Sequence, residues 1–157
     1  MLTFNVTSDM NEVREIIAQH RTYTRLVNDS APKIEDFTIT ESSHFIAVMA
    51  RNGERDKGVF LIFPISPSTA ELHFAFAPKT SGLACISRQF VQWVWENTSL
   101  NRLIGRAPSY NLLSRRLAEA AGFQKQRIER SMGKKNGVKF DHIVMELRRP
   151  AQGAVHA

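Results

Sequence analysis

The sequence predicts an α/β (α+β) fold in which a mixed, mostly antiparallel, twisted sheet of about seven strands carries about four helices on its faces. Three observations lead to this prediction. Strand-like and helix-like segments alternate in the order strand, helices, three strands, helix, strand, helix, two strands. Short turns join the three middle strands, which is typical of an antiparallel meander. A chain of 157 residues most economically forms one domain. We expect this domain over residues 1–148 and a flexible tail over residues 149–157.

The N-terminal part begins with an alternating apolar and polar segment, residues 2–7, that predicts a first strand. Ser8 or Asp9 can then cap a helix, because a short side-chain oxygen satisfies the N–H groups of the first turn. The buried face of that helix would consist of three apolar residues, Val13, Ile16 and Ile17. A second short helix is expected over residues 22–28, before a Pro-containing break.

Three strands follow. Residues 44–51 and 58–65 are rich in strand formers and lie on either side of an Asn-Gly step, which is a strong hairpin signal. The third strand begins at Glu71 and ends before Pro78. Its apolar positions are Leu72, Phe74 and Phe76. Because side chains alternate along a strand, Glu71 and His73 share the opposite face, which therefore carries titratable groups.

A glycine-containing turn at residues 79–82 leads into the longest helix. From Leu83 to about Glu96, apolar residues recur three and four apart. A strand that enters a helix through such a turn presents unpaired backbone N–H groups at the helix N-terminus, where phosphates bind. The turn is therefore a candidate anion site.

Three side chains of this helix permit two interpretations each. Trp93 and Trp95 flank the apolar stripe, and we favour packing over stacking on a ligand ring. Cys85 is interpreted as a packed small residue rather than a reactive thiol. As the only cysteine, it excludes an internal disulfide and argues against a cysteine-based metal site. No metal site is predicted.

The C-terminal part contains one more helix and three more strands. Residues 101–108 predict a strand, and residues 111–121 a helix that ends at Gly122, which can adopt positive φ without a Cβ clash. Residues 123–132 and 138–147 predict the last two strands, which a turn rich in glycine and lysine joins.

The charge of the chain is compatible with an anionic ligand, since the formal net charge is +6 and the isoelectric point is near 9.9. Basic residues of the last two strands are Lys125, Arg127, Arg130, Lys134, Lys135 and Lys139. We interpret them as a solvated hairpin face rather than a nucleic-acid surface. No apolar run is long enough for a membrane span, and the N-terminus lacks the features of a secretory signal. We therefore expect a cytoplasmic protein without a membrane partner.

Two motifs resemble those of a known family. The first is K-x-x-G-x-A at Lys79, Gly82 and Ala84, and the second is N-x-x-S-x-x-L, which starts at Asn111 and ends before a Gly-Phe pair. With the order of elements, they make residues 1–148 resemble the GNAT superfamily of acyl-CoA N-acyltransferases. In its length and in the sequence of its second motif, the chain is similar to short phage-encoded GNAT-like proteins.

The resemblance implies acetyl-CoA as the cofactor. Its pyrophosphate would lie on the N–H groups of the turn. Its pantetheine arm would lie like an extra strand between the strand that contains Phe74 and Phe76 and the strand predicted over residues 101–108. The implied cofactor-binding residues are Phe74, Phe76, Lys79, Ser81, Gly82, Leu83, Ala84, Asn111 and Ser114. From the residues alone, Gly82 can also be an ordinary turn glycine, and Asn111 can simply cap its helix.

The implied catalytic residues are Glu71, His73 and Tyr110. Glu71 resembles the general base of the histone-acetyltransferase branch, and desolvation in a cleft would raise its pKa. His73 either relays a proton, binds substrate or is packed. The family's usual tyrosine acid is replaced by Ala118, which leaves Tyr110 as the nearest phenol. The turn is also about two residues shorter than the usual phosphate loop.

Together these features predict an N-acetyltransferase that transfers an acetyl group directly to a primary amine of a small molecule or protein. The alternative is a catalytically weak or inactive GNAT-like phage protein that acts in the virion, in head assembly or as a protein-binding module. That alternative would place the protein in the host cytoplasm or in the virion. A homodimer through Trp93, Trp95 or the last strands is a further expectation.

Overall fold

The structure is a computed structural model that describes residues 1–151. The strands are β1 (Leu2–Thr7), β2 (Ile46–Asn52), β3 (Asp56–Pro64), β4 (Thr69–Phe76), β5 (Arg102–Pro108), β6 (Gln124–Lys135) and β7 (Val138–Arg148). The helices are α1 (Met10–Ile17), α2 (His20–Leu26), α3 (Leu83–Asn97) and α4 (Leu112–Ala120), with a short 3-10 turn at Ile34–Asp36. The predicted order of elements is confirmed. Most of the expected flexible tail, from residue 152 onward, lies outside the described residues.

The seven strands form one twisted sheet in the order β1-β2-β3-β4-β5-β7-β6. All neighbouring strands are antiparallel except β4 and β5, which are parallel. β4 pairs with β3 over seven register positions but with β5 over only three, the last of which joins Glu71 and Ile104. The mixed, mostly antiparallel sheet of the prediction is therefore confirmed, and it opens along its centre beyond Glu71.

Helices cover the sheet on two faces. On the first, which we call the α3/α4 face, Phe60 stacks on Phe90 of α3 with ring centroids 3.9 Å apart. On the second, the α1/α2 face, the predicted stripe Val13, Ile16 and Ile17 is buried against β2 and β3. Burial of a large apolar side chain contributes about 1.5–3 kcal/mol, so these two cores fix which side of β4 each residue occupies.

The side chains of α3 confirm one prediction and contradict another. Trp93 stacks on Phe90 at 5.8 Å, and Trp95 lies against the guanidinium of Arg149 at 5.1 Å, so both tryptophans pack within the protein. Cys85 is exposed, and the prediction of a packed residue was wrong. It precedes the buried Ile86, and one step along a helix turns a side chain by about 100°, away from the core.

The hairpin of β6 and β7 is attached to the loop after α2. The Asp29 carboxylate accepts hydrogen bonds from the backbone N–H groups of Asn136 at 2.7 Å and Gly137 at 2.8 Å. Lys135 turns inward and donates to the carbonyl of Val27 at 2.5 Å. The other five basic residues of the predicted solvated face are exposed, so Lys135 is the exception.

Candidate functional site

A cavity of about 490 Å³ lies where β4 and β5 separate. Its lining includes Phe74 and Ala118 from the α3/α4 face and Leu61 from the α1/α2 face. The cavity therefore extends through the sheet. Glu71, the last residue of β4 that pairs with β5, lies on its wall.

The backbone of β4 is turned toward this gap at alternate residues. The N–H of Ala77 donates to the carbonyl of Lys57 at 2.9 Å, so the odd-numbered residues before it face β3. By the same alternation, the backbone groups of Phe74 and Phe76 face β5, beyond the end of the short ladder. Thr22 donates to the carbonyl of Phe76 at 2.7 Å. Phe74 is therefore the best placed of the predicted residues to pair with an extended ligand.

Glu71 is the centre of a polar cluster on the α1/α2 face. One carboxylate oxygen lies 2.6 Å from Nε2 of His73, and the other is bonded to the guanidinium of Arg106. Arg106 also donates to Glu129 at 3.1 Å. The Glu71 side chain is only 19% exposed, whereas that of His73 is 47% exposed. His73 is thus bonded to Glu71 at the cavity mouth, and its ring also packs edge-on against Phe63 at 5.2 Å.

The charges in this cluster act in opposite directions. From the sequence we expected desolvation to disfavour the ionised form of Glu71. The Arg106 guanidinium acts in the opposite direction, because a neighbouring positive charge favours the ionised carboxylate. Burial lowers the pKa of His73 below its usual value, while the adjacent Glu71 carboxylate favours the protonated ring. Burial alone would raise the pKa of Glu129, and Arg106 and Arg127 together bring it below its usual value.

His142 completes the cluster. Its Nδ1 lies 3.9 Å from Glu129, and its ring lines the cavity. Burial, the largest influence, lowers its pKa, and the Arg106 charge acts in the same direction, although Glu129 opposes it. Sequence reasoning missed Arg106, Glu129 and His142, because they lie on three other strands. The signal that could have found Arg106 and His142 is a polar residue within a strand whose neighbours are apolar, whereas β6 around Glu129 is mostly polar and gives no such signal.

The turn before α3 has the predicted backbone but not the predicted contacts. Gly82 has φ of 68°, a left-handed conformation that glycine adopts without strain, and no side chain caps the helix that follows. Asp56 accepts hydrogen bonds from the Ser81 hydroxyl at 2.9 Å and from its N–H at 3.3 Å. Ser81 is therefore engaged by a carboxylate and does not present its N–H to an anion as expected. The N-terminus of α3, with Leu83 and Ala84, keeps the predicted arrangement.

A smaller groove of about 180 Å³ adjoins this turn between α2, the end of β4, α3 and α4. Three cationic residues line it, Arg21 and Arg25 of α2 and Lys79 of the turn. The two arginines are four residues apart and hence on the same side of α2. Sequence reasoning identified Lys79 but missed the arginines, because Arg21 lies before the expected start of the second helix at residue 22, whereas α2 begins at His20.

The second motif lies where both cavities meet. The side chain of Asn111 accepts a hydrogen bond from the N–H of Ser114 at 3.1 Å, which caps α4, and donates to the carbonyl of Arg25 at 3.4 Å. The capping alternative for Asn111 is therefore confirmed, and a contact with a cofactor stays a prediction. Asn111 and Ser114 line both cavities.

Tyr110 lines the main cavity but is engaged elsewhere. Its hydroxyl donates to the carbonyl of Leu26 at 3.3 Å, and its ring meets Phe140 edge-on at 5.0 Å. Burial and, to a smaller extent, Asp29 raise the pKa of the hydroxyl. These contacts give Tyr110 a structural role and do not direct its proton toward the gap. Ala118 lines the cavity without a proton to donate.

The described residues contain no group of three or more His, Cys, Asp or Glu side chains that could hold a metal ion. No helix within residues 1–151 is long and apolar enough to cross a membrane.

Comparisons with known proteins identify the fold. No protein-family model matches the chain. No curated protein matches it either. Solved structures do match, among them spermidine N-acetyltransferase from Vibrio cholerae in complex with CoA and spermine, with a TM-score of 0.73 at 13% identity over 94% of this chain and 95% of that one. A putative phosphinothricin N-acetyltransferase gives 0.71 at 15% identity over 96% and 100%.

An aminoglycoside acetyltransferase in complex with coenzyme A and kanamycin gives a TM-score of 0.71 at 12% identity over 95% of each chain. At such identities the likeness establishes the fold alone. The chain therefore has the GNAT-like fold of these acetyltransferases, as the two motifs predicted.

Proposed function

We propose that this protein is an acetyl-CoA-dependent N-acetyltransferase that acetylates a primary amine by direct transfer, with Glu71 as the general base. The observation that carries the proposal is the position of Glu71 at the end of the β4–β5 ladder, on the wall of a cavity that extends through the sheet. Neighbours of the same fold include complexes with CoA, which supports the choice of cofactor.

The residues present fit acetyl-CoA. The backbone of β4 at Phe74 faces the gap without a partner strand. An amide of the cofactor can form hydrogen bonds with it as a neighbouring strand would. The uncapped N-terminus of α3 and the three cations of the smaller groove suit a pyrophosphate. Asp56 opposes it with one negative charge, so the balance of charge around the turn still favours an anion.

Acetyl-CoA, when bound, supplies an acetyl group activated as a thioester. The protein's own residues would then handle the protons. Glu71 accepts a proton from the amine, Arg106 keeps the carboxylate ionised and oriented, and the half-exposed His73 passes the proton to water. Backbone N–H groups of Phe74 and Phe76 face the gap, where they can donate to a carbonyl oxygen. Water protonates the departing thiolate, since Ala118 has no acidic group and the Tyr110 hydroxyl is turned to Leu26.

The test is a calorimetric titration with acetyl-CoA of the wild type and of Gly82→Glu, which places a carboxylate in the phosphate turn. Gly53→Glu is a matched control, because Gly53 also has positive φ and open space around it but lies in the turn between β2 and β3 rather than at the start of α3. We expect micromolar binding by the wild type and by the control, and loss of binding in Gly82→Glu. Equal binding by all three would refute the proposed phosphate site.

Two observations favour a second function, that of a GNAT-like binding module. Asp56 accepts a hydrogen bond from the Ser81 N–H, and Ala118 stands where the family's acid is expected, so one cofactor-binding element and one catalytic element are altered. A correctly folded wild type that does not bind acetyl-CoA would support the module and exclude the enzyme.

A further inference from the structure

The charges that line the main cavity cancel one another. Among the described residues that line it, Glu71 is the only carboxylate and Arg106 is the only lysine or arginine. The two are in direct contact. Behind Arg106, the Glu129 carboxylate is paired with Arg106 at 3.1 Å and with Arg127 at 3.4 Å. No carboxylate on the cavity wall is therefore left for a second cationic group of an acceptor.

The wall of the cavity on the α1/α2 face is otherwise apolar and aromatic. Its large apolar members are Phe37, Ile39, Leu61, Phe63 and Phe140. The rings are fixed by neighbours, since Phe63 lies 5.4 Å from Phe45 and 5.2 Å edge-on to His73. Phe140 is held by Tyr110 at 5.0 Å. Such a wall suits an apolar or aromatic body that enters beside Glu71.

We propose that the acceptor is a monoamine with an apolar body, of the arylalkylamine class, and that Arg106 determines this specificity by excluding polycations. This inference rests on the proposed acetyltransferase function. A polyamine would bring at least one further ammonium group into a wall that offers no unpaired carboxylate and already contains a guanidinium. Specificity of this kind comes from a repulsive group as much as from attractive contacts.

The reaction balances in protons and bonds. The N–C bond to the acetyl group forms, and the C–S bond of the thioester breaks. The amine loses one proton to Glu71, and the thiolate takes up one proton from water. A neutral amine is needed at the start, and a monoamine can reach that state without leaving a second charge buried.

The first test compares acceptors. With acetyl-CoA held constant, thiol release is measured with 2-phenylethylamine, spermidine and kanamycin. We expect kcat/KM for 2-phenylethylamine to exceed that for the two polycations at least tenfold. Equal or better turnover of spermidine or kanamycin would overturn the inference. So would the absence of turnover with all three amines by a protein that binds acetyl-CoA. Failure to bind acetyl-CoA would instead overturn the proposed function.

The second test changes Arg106 and measures binding rather than turnover, because Arg106 contacts the proposed base. In Arg106→Gln, Glu71 and Glu129 lose their shared cation, and we expect the Kd for spermidine to fall at least tenfold. Arg127→Gln is the matched control, because Arg127 also contacts Glu129 but does not line the cavity. Arg106→Lys keeps the positive charge and should leave the Kd for spermidine close to the wild-type value. Unchanged spermidine affinity in a folded Arg106→Gln would overturn the role of Arg106.

Discussion

The two ends of the candidate site, the main cavity at Glu71 and the smaller groove at the turn before α3, are built in different ways. On the α1/α2 face, Glu71, His73 and Arg106 come from two strands and satisfy one another before any ligand binds. At the other end, between α2, the end of β4, α3 and α4, the smaller groove collects three cations beside an uncapped helix N-terminus, and the carboxylate bonded at that turn is Asp56. The first end is balanced in charge and the second is not. A reacting group needs fixed neighbours, whereas an anionic cofactor is attracted by positive charge that it can neutralise.

The largest effect should follow from a change at the balanced end. Glu71→Gln keeps the shape of the side chain but cannot accept a proton, so turnover should fall by roughly 10² to 10⁴. The Kd for acetyl-CoA should stay the same, because the residue lies away from the phosphate turn. Steady-state kinetics and calorimetry measure the two quantities. Glu129→Gln is the control, and an equal loss of turnover in both variants would show that the cluster, rather than the base, was disturbed.

At the unbalanced end, the double substitution Arg21→Gln and Arg25→Gln should weaken acetyl-CoA binding by about tenfold. Both arginines are exposed, and each charge contributes roughly 0.5–1 kcal/mol. The dependence of the Kd on salt concentration should also become less steep, since fewer charges are neutralised on binding. Titrations at two salt concentrations measure both effects. Wild-type affinity with wild-type salt dependence would exclude the arginines from the phosphate site.

A smaller change of opposite sign is expected for Asp56→Asn. The amide can still accept a hydrogen bond from Ser81, but the negative charge beside the turn is gone. Acetyl-CoA binding should tighten several-fold, in line with about 1 kcal/mol for one partly exposed charge. Glu54→Gln removes an exposed charge from the same hairpin and should leave the Kd unchanged. Equal tightening in both variants would indicate a general effect of net charge.

The smallest effect concerns acid stability at the balanced end. His142 has a lowered pKa in the folded protein, chiefly because of burial. As the pH falls through about 6.5, the unfolded chain takes up a proton that the folded ring resists, so the free energy of unfolding declines. Between pH 7 and pH 5, the wild type should lose roughly 1–3 °C more in melting temperature than His142→Gln. Equal losses by thermal denaturation would show that His142 does not titrate on unfolding.

The fold could be predicted because its signals are local. Alternation identified β4 and placed Glu71 and His73 on one face, and the glycine turn located the start of α3 at Leu83, as observed. Most boundaries differ from the prediction by one to three residues, where capping and fraying decide the ends. The adjacency of β4 and β5 followed only from the family resemblance, since no local pattern encodes that two strands separated by a helix become neighbours.

The site could be predicted only in part for the same reason. Arg106 meets Glu71 across 35 positions of sequence, and Asp56 meets Ser81 across 25. Such contacts depend on strand register and on the packing of distant turns. The sequence therefore identified Glu71, the proposed base, but not the residues that balance its charge, and it identified the turn but not the carboxylate that is bonded to Ser81.

The three-pair ladder between β4 and β5 has a consequence for the stability of the whole sheet. Longer ladders connect β1 through β4 on one side and β5, β7 and β6 on the other. The sheet therefore consists of two well-paired halves that are joined by the short β4–β5 ladder. In hydrogen exchange, the amide of Phe74 should therefore exchange faster than that of Ala75, which faces β3. A ligand that pairs with the open edge of β4 would bridge the two halves. At a free concentration of 100 times its Kd, it would stabilise the folded chain by about 2.7 kcal/mol. The resting protein would thus be an incomplete sheet, and its cofactor would serve as the missing strand.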